Sequence, residues 1–274
     1  MLSLSPATLH ISLGTHALHW ATTPALRPAG VSACGTVQYA IGDTAMQAAQ
    51  AWRPAVGAVA QLLADTGRRY PKTLRIVLGG RWAHWQLLPW REDITQEQEL
   101  AAYAALRFRE TYGAPAQGWQ VVHVAQAPNA ATPSCAVDAK LVDALRSTCS
   151  GAGAKLTTIT PYFASAFDRW RGALKGSTVW FCLLESDCLS LGLLQNKQWL
   201  ALRSQRLDGD WRDTLPGMMA QMGIAAGIVD DPVPLYLAGP HDPPAPLDGL
   251  RLVWLPPKLI TPPAAVGCRM ALGV

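Results

Sequence analysis

Three histidines near the start of the chain, His10, His16 and His19, are of the type that holds a divalent metal. Their spacing keeps them apart. Leu9, Ile11 and Leu13 alternate with His10 and Ser12, the pattern of a strand, and Gly14-Thr15 turns the chain into a second strand running to Thr22. Two residues three apart on a strand point to opposite faces, so His16 and His19 do not both join His10 on one metal, and ordinary surface or half-buried histidines are expected. The thiols offer no better set. Six cysteines, at 34, 135, 149, 182, 188 and 268, form no CxxC pair, and Cys182 and Cys188 on neighbouring strands read as two buried thiols. No Gly-X-Ser-X-Gly occurs, and Asp230-Asp231 is a turn before Pro232 without partner acids. Residue types alone therefore assemble neither a catalytic nor a metal-ligating set.

The tryptophans are the unusual feature. Eleven are present, and Trp82, Trp85 and Trp90 crowd one short stretch beside Arg81. On a strand, Trp82 and Trp85 face opposite ways, so one ring is expected at the surface or an interface. Core packing is the ordinary use of such rings. An aromatic-lined groove for a partner is the functional one, since Trp and Arg favour interface hot spots.

The elements that must position these residues follow from composition and period. With 50% hydrophobic and 15% charged residues, the 274-residue chain has ample material for a core and is not disordered. No heptad or triplet period runs through it, which excludes coiled-coil and collagen-like chains. The net charge is +4 with basic residues scattered, so no nucleic-acid footprint is expected. The longest apolar stretch, Ser177 to Leu194, is interrupted by Glu185 and Asp187, and the first thirteen residues lack a basic n-region. No direct membrane insertion and a reduced, cytoplasmic setting are therefore expected.

After the first two strands, Cys34–Ile41 reads as a third, and residues 44–66 carry a helical period in which Pro54 predicts a kink or break. LRIVL, Leu74 to Leu78, is a strand ended by Gly79-Gly80. Thr95 to Tyr112 is a helix, with Thr95 as cap, Gln98 three residues on, and Gly113 as its stop. Its Leu100, Tyr103, Ala104, Leu106 and Phe108 are expected to be partly buried, and Glu97, Glu99, Arg107, Arg109 and Glu110 mostly solvated. Strands at 119–125 and 135–137, joined by the loop PNAATPS, precede a helix capped by Asp138, a strand at 155–160 and a helix opened by Pro161. Strands 178–184, 188–194 and 198–206 come next, with Asn196-Lys197 as a turn. A helix over 210–222 and strands 234–238 and 251–255 complete the order. Both halves begin with three strands and a helix, an internal duplication in an α/β class.

The duplicated βββαβ plan resembles the actin-like, ribonuclease H-like superfold. The stretch after Gly80 is similar to the strand–helix–strand–strand insert of the PilM, FtsA and GspL families, through Leu88-Pro89, Gln98-Glu99-Leu100 and Gln120-Val121-Val122. Asp138 through Leu145, Gly151 to Gly153, Pro161-Tyr162-Phe163-Ala164 and Arg169 resemble the PilM segment that follows, as does the end of the chain from Val233. The resemblance implies a first subdomain over 1–80 and 138–172, an inserted subdomain over 81–137 packed beside the first sheet, and a reduced second subdomain over 173–274. The short length is closest to the HofM-type proteins associated with DNA uptake.

An actin-like ATPase needs an acid in each phosphate hairpin for Mg²⁺ and small residues where the backbone meets phosphate. The resemblance aligns these positions with Ser12, Gly14 and Thr15 in the first hairpin, Glu185 and Ser186 in the second, and Gly239 in the adenosine loop, which continues as Pro240-His241. Ser12 stands where the family has an acid, the second hairpin has no glycine, and Pro240 removes a donor. No catalysis and at most weak binding of Mg-ATP are expected, with no other cofactor or metal. The implied function is that of a non-catalytic, PilM-like scaffold of type IV pilus biogenesis, cytoplasmic and peripheral to the inner membrane. It would dock the N-terminal cytoplasmic tail of a PilN-like inner-membrane protein, with Arg81, Trp82, Trp85 and Trp20 lining the groove. An actin-fold ATPase or sugar kinase, and a GspL-like secretion component or HofM-like DNA-uptake protein, are the alternatives.

Overall fold

The computed structural model describes residues 7–24, 30–41, 50–65, 71–124, 126–228, 233–239, 244–245, 247, 249–256 and 266–272. They fall into two compact units. One comprises Met1–Trp82, Ala139–Arg169 and Pro257–Val274, and the other Ala83–Asp138 and Trp170–Pro256.

The first unit is built on a five-stranded sheet. Its strands are β1 (Thr8–Leu13), β2 (Ala17–Thr23), β3 (Ala33–Gln38), β4 (Thr73–Leu78) and β8 (Lys155–Pro161), in the order β3-β2-β1-β4-β8. The first three form an antiparallel meander; β4 and β8 add parallel to β1. Leu9, Ile11, Leu13, Leu74, Ile76 and Leu78 are all fully buried, one face of a sheet read at every second residue. Helix α1 (Arg53–Asp65) packs on α3 (Ala139–Gly151) and β2. The proline expected to break α1 instead sits in its first turn, where a missing N–H and a fixed φ suit helix initiation. The upstream part of that helical pattern, 44–49, lies outside the described residues. Helix α4 (Tyr162–Trp170) follows β8, and α6 (Val266–Ala271) lies along β1 and β2, with Leu272 packed against Ala21 and Val31.

The second unit repeats the plan. Strands β9 (Thr178–Leu184), β10 (Cys188–Gln195), β11 (Gln198–Arg206), β12 (Leu235–Ala238) and β13 (Leu252–Leu255) pair in the order β11-β10-β9-β12-β13. Again a meander is followed by parallel strands. Alternate residues Trp180, Cys182, Leu184, Leu189, Leu191, Leu193, Leu235 and Leu237 form one face of the core. Helix α5 (Trp211–Ala225) covers that face with Leu215, Met218, Met219 and Met222, three and four apart. Asp210 caps α5, accepting from the Arg212 N–H at 2.9 Å.

The opposite face shows a close approach that only glycine allows. A Cβ on Gly192 of β10 would overlap the indole of Trp199 on β11. Gly192→Val is expected to destabilise the chain by ~1–3 kcal/mol through overpacking. In chemical denaturation, adding Trp199→Ala should recover part of that loss, so that the double variant is less destabilised than the two singles combined.

The insert has its own three-stranded sheet, β5-β7-β6, made of β5 (His84–Leu88), β6 (Trp119–His123) and β7 (Thr132–Asp138). In sequence it interrupts the first half; in space it is compact with the second unit, where β5 runs along β11. Helix α2 (Glu97–Tyr112) covers one face through Phe108, which meets Ala116, Ala136, Trp119 and Val121. Its cap is one residue later than expected: the Glu99 carboxylate accepts from the Gln96 N–H at 3.0 Å and also from the Thr95 N–H at 2.9 Å. Ala104 and Phe108 are buried, but Leu106 is 41% exposed, on the outer side of the helix. Strand β7 starts three residues earlier than expected and includes Pro133, part of the segment read as a loop. Pro133 lacks the donor that would reach Val124 across the ladder, and the Gln126 side-chain amide donates to the Val124 carbonyl at 3.1 Å instead.

Candidate functional site

The first hairpin is β1–β2. Ser12 is fully buried in β1 and Thr15 nearly so in the turn. The Gly14 N–H donates to the Ala17 carbonyl at 3.0 Å, closing the turn. The Gly14 carbonyl accepts twice, from the Tyr39 hydroxyl at 2.6 Å and from the Trp82 indole N–H at 3.0 Å. Both polar atoms of this backbone unit are therefore engaged by the protein itself. On the neighbouring strands, His10 Nε2 lies 3.1 Å from Thr23 Oγ1, and His19 Nδ1 lies 2.9 Å from Thr36 Oγ1. His16 is exposed in the turn, ahead of β2.

Glu185, Ser186 and Gly239 come together in the second unit. They line a depression of about 450 Å³ with Trp211, Arg212 and Trp254. Glu185 is buried at the end of β9 and Ser186 is exposed in the turn. A Cβ on Gly239 would stand 2.7 Å from the Leu184 carbonyl oxygen, so its bare Cα serves the close approach of the β9 and β12 ends. Arg212 brings a cation to the depression, but Asp210 holds it through both carboxylate oxygens at 3.3 Å, and its guanidinium lies 4.7 Å from the Trp211 ring centre. The Arg212 N–H, and then the guanidinium, hold the Asp210 carboxyl below its usual range. The spacing of these residues gave no sign that Trp211, Arg212 and Trp254 would join Glu185. Pro240 and His241 lie outside the described residues.

The tryptophans are arranged differently from the strand-alternation expectation. Trp82 precedes β5 in a turn, so alternation does not apply to it; it is buried, 7% exposed. Arg81 stacks on it, 5.4 Å from the ring centre. Trp85 is half-buried on β5 opposite Cys135, and Trp20 is half-buried with its ring lying over Gly35 of β3. The exposed ring of the group is Trp90, at 43%. It lines a second depression, of about 470 Å³, with Arg91, Ile94, Glu97, Leu100 and His123. A proline before Trp90 ends the strand and turns the ring out, which is the signal that could have singled it out.

The buried thiols have the chemistry of core residues. Burial pushes Cys135 and Cys188 up to about 12 and raises Cys182 further, and no disulfide joins the described cysteines. Among the described residues, no helix is long and apolar enough to cross a membrane.

No family model matches the sequence, and no curated protein does. Solved structures match over nearly the whole chain. The cytoplasmic domain of EpsL, an inner membrane component of the type II secretion system of Vibrio cholerae, superposes with a TM-score of 0.60 at 11% identity, covering 97% of this chain and 94% of that one. A Bacteroides thetaiotaomicron protein with an actin-like ATPase fold and unknown function gives 0.61 at 11% identity, covering 100% and 99%. A chain of a PilM–PilN type IV pilus biogenesis complex gives 0.58 at 12% identity, covering 97% of each. With two sheets of matching strand order and an inserted three-stranded subdomain, the chain has the actin-like fold.

Proposed function

We propose that the chain is a non-catalytic actin-like scaffold that works in assembly of a type IV pilus or related secretion or DNA-uptake machine. It acts at the cytoplasmic side of the inner membrane and docks the cytoplasmic tail of a membrane-anchored partner of the PilN kind. The observation that carries the non-catalytic reading is how the protein fills its own nucleotide positions. The Gly14 N–H is spent on the Ala17 carbonyl, the space at Gly239 is closed by the Leu184 carbonyl, and Arg212 is matched by Asp210. A polyphosphate with Mg²⁺ needs free backbone donors and a carboxylate facing the metal. With a buried hydroxyl at Ser12 and Glu185 beside an already neutralised arginine, these residues do not fit that ligand. The likeness to the EpsL domain and to a PilM–PilN chain supports the assembly context.

The expected result of titrating Mg-ATP by calorimetry is no saturable heat, and phosphate release should stay at the level of a no-protein control. Saturable binding with turnover that disappears in Ser12→Arg would replace this reading with that of an actin-fold ATPase.

A further inference from the structure

The insert carries an unprotected sheet edge. Strand β6 ends the order β5-β7-β6, and its Trp119–His123 run contains neither Pro, Lys, Arg nor an acid. Natural edges are usually blunted by such residues. The Val124 N–H donates to the Pro133 carbonyl at 3.2 Å, which sets the alternation of the ladder. Residues 120, 122 and 124 therefore turn their backbone groups to β7, while Val121 and His123 turn their N–H and C=O groups outward. On the face away from α2, Val122 is 58% and Val124 is 65% exposed. Among the described residues nothing pairs with these groups, so the edge offers main-chain donors and acceptors beside two exposed apolar side chains.

At its C-terminal end this edge opens into the depression of Trp90, Ile94 and Leu100, and His123 belongs to both. The His123 Nδ1 is buried there with no hydrogen-bond partner among the described residues. The surroundings are acidic. Residues 91–99 contain one arginine and four acids, and the arginine is already held by Asp93 at 2.7 and 2.8 Å. Residues 83–138 carry three basic and six acidic side chains, a net −3, against +4 for the whole chain.

We propose that β6 takes up an extended, cationic segment of a protein partner as a fourth strand. The segment's main chain pairs with Val121 and His123, its alternate apolar side chains lie on Val122 and Val124, and its basic end reaches the Glu97-rimmed depression under Trp90. Strand addition draws affinity from the main chain and specificity from side-chain pockets, and here the charge selects a Lys- or Arg-bearing segment. The occupant is defined by its chemistry, whether or not the chain serves a pilus system.

The test uses the full chain and fluorescent synthetic peptides followed by anisotropy. The probe is Lys-Lys-Val-Thr-Val-Thr-Val-Ser. Its controls carry Glu-Glu for Lys-Lys, or N-methyl groups on alternate residues that abolish strand pairing without altering charge. The lysine peptide should bind at least tenfold more tightly than either control. Val122→Lys/Val124→Lys should lower its affinity tenfold or more, and Glu97→Lys about threefold, each with an unchanged melting temperature. The Val121 and His123 amides should gain protection from hydrogen exchange only with that peptide. Absence of binding, equal binding of the N-methylated or Glu-Glu peptide, or indifference to the valine substitutions overturns the proposal. So does self-association of the free chain that Val122→Lys/Val124→Lys abolishes, because the edge then serves a second copy.

Discussion

Trp82→Ala should lower the melting temperature by roughly 10 °C, because removing a buried tryptophan costs about 3–5 kcal/mol and a chain of this size loses a few degrees per kcal/mol. The ring is 7% exposed, and its indole N–H holds the Gly14 carbonyl at 3.0 Å. The substitution therefore empties a packed site and removes one of the two donors fixing the first hairpin, the other being the Tyr39 hydroxyl at 2.6 Å. Trp82→Phe keeps most of the volume and loses only the hydrogen bond, so it should cost nearer ~1 kcal/mol. Thermal melts of both variants decide the matter. An alanine variant that melts like the wild type would make Trp82 the surface ring that strand alternation expects of one member of the Trp82 and Trp85 pair.

Acid should weaken the first unit through His10. The side chain is half-buried on β1, bonded to Thr23 and paired in register with Arg75 on β4. Burial, and then the Arg75 charge, lower its pKa to about 4. In the unfolded chain the imidazole takes up a proton near 6.5, so the unfolded state binds more protons between those values. The stability from a neutral His10 is complete above 6.5 and is lost as the pH falls towards 4, by up to about 3 kcal/mol at roughly 1.4 kcal/mol per pH unit. His19, lowered by burial on the adjacent strand, acts in the same direction. Denaturation at pH 7 and pH 4.5 should show the wild type losing about 2–3 kcal/mol more than His10→Gln, the carboxylates common to both cancelling in the comparison. Equal losses would mean that His10 is solvated in the folded chain.

Both predictions depend on contacts that no local pattern announces, and the line between legible and illegible features follows from that. The meander over 178–206 was legible residue by residue. Its strands alternate or run apolar, and Asn196-Lys197, with φ of 52° and 68°, supply the paired positive angles of a tight hairpin turn. The duplicated order was legible for the same reason, since each strand or helix declares itself over four to sixteen residues. Capping was legible to within one residue, because Thr95 and Gln96 both precede an amide or acid three positions on, and only the geometry of Glu99 chooses between them.

The candidate site was legible only as a set of positions. Ser12, Gly14 and Glu185 could be located, but not the donors and backbone that occupy the space around them. Trp82 belongs to the core because a carbonyl sixty-eight residues earlier accepts its N–H, while Trp90, eight residues later, is left exposed beyond Pro89. Strand alternation does not reach Trp82, because the chain has not yet entered β5 at that residue. Likewise, no local pattern marks Gly192 and Gly239 as points of close approach, yet each admits a neighbour, the Trp199 ring in one case and the Leu184 carbonyl in the other. The sequence by itself determined the elements, their order and their repetition, since these follow from local period and turn chemistry. The tertiary structure decided which tryptophan faces solvent, which glycines are filled and which strand edge is left open, because each depends on what the rest of the chain brings to that point.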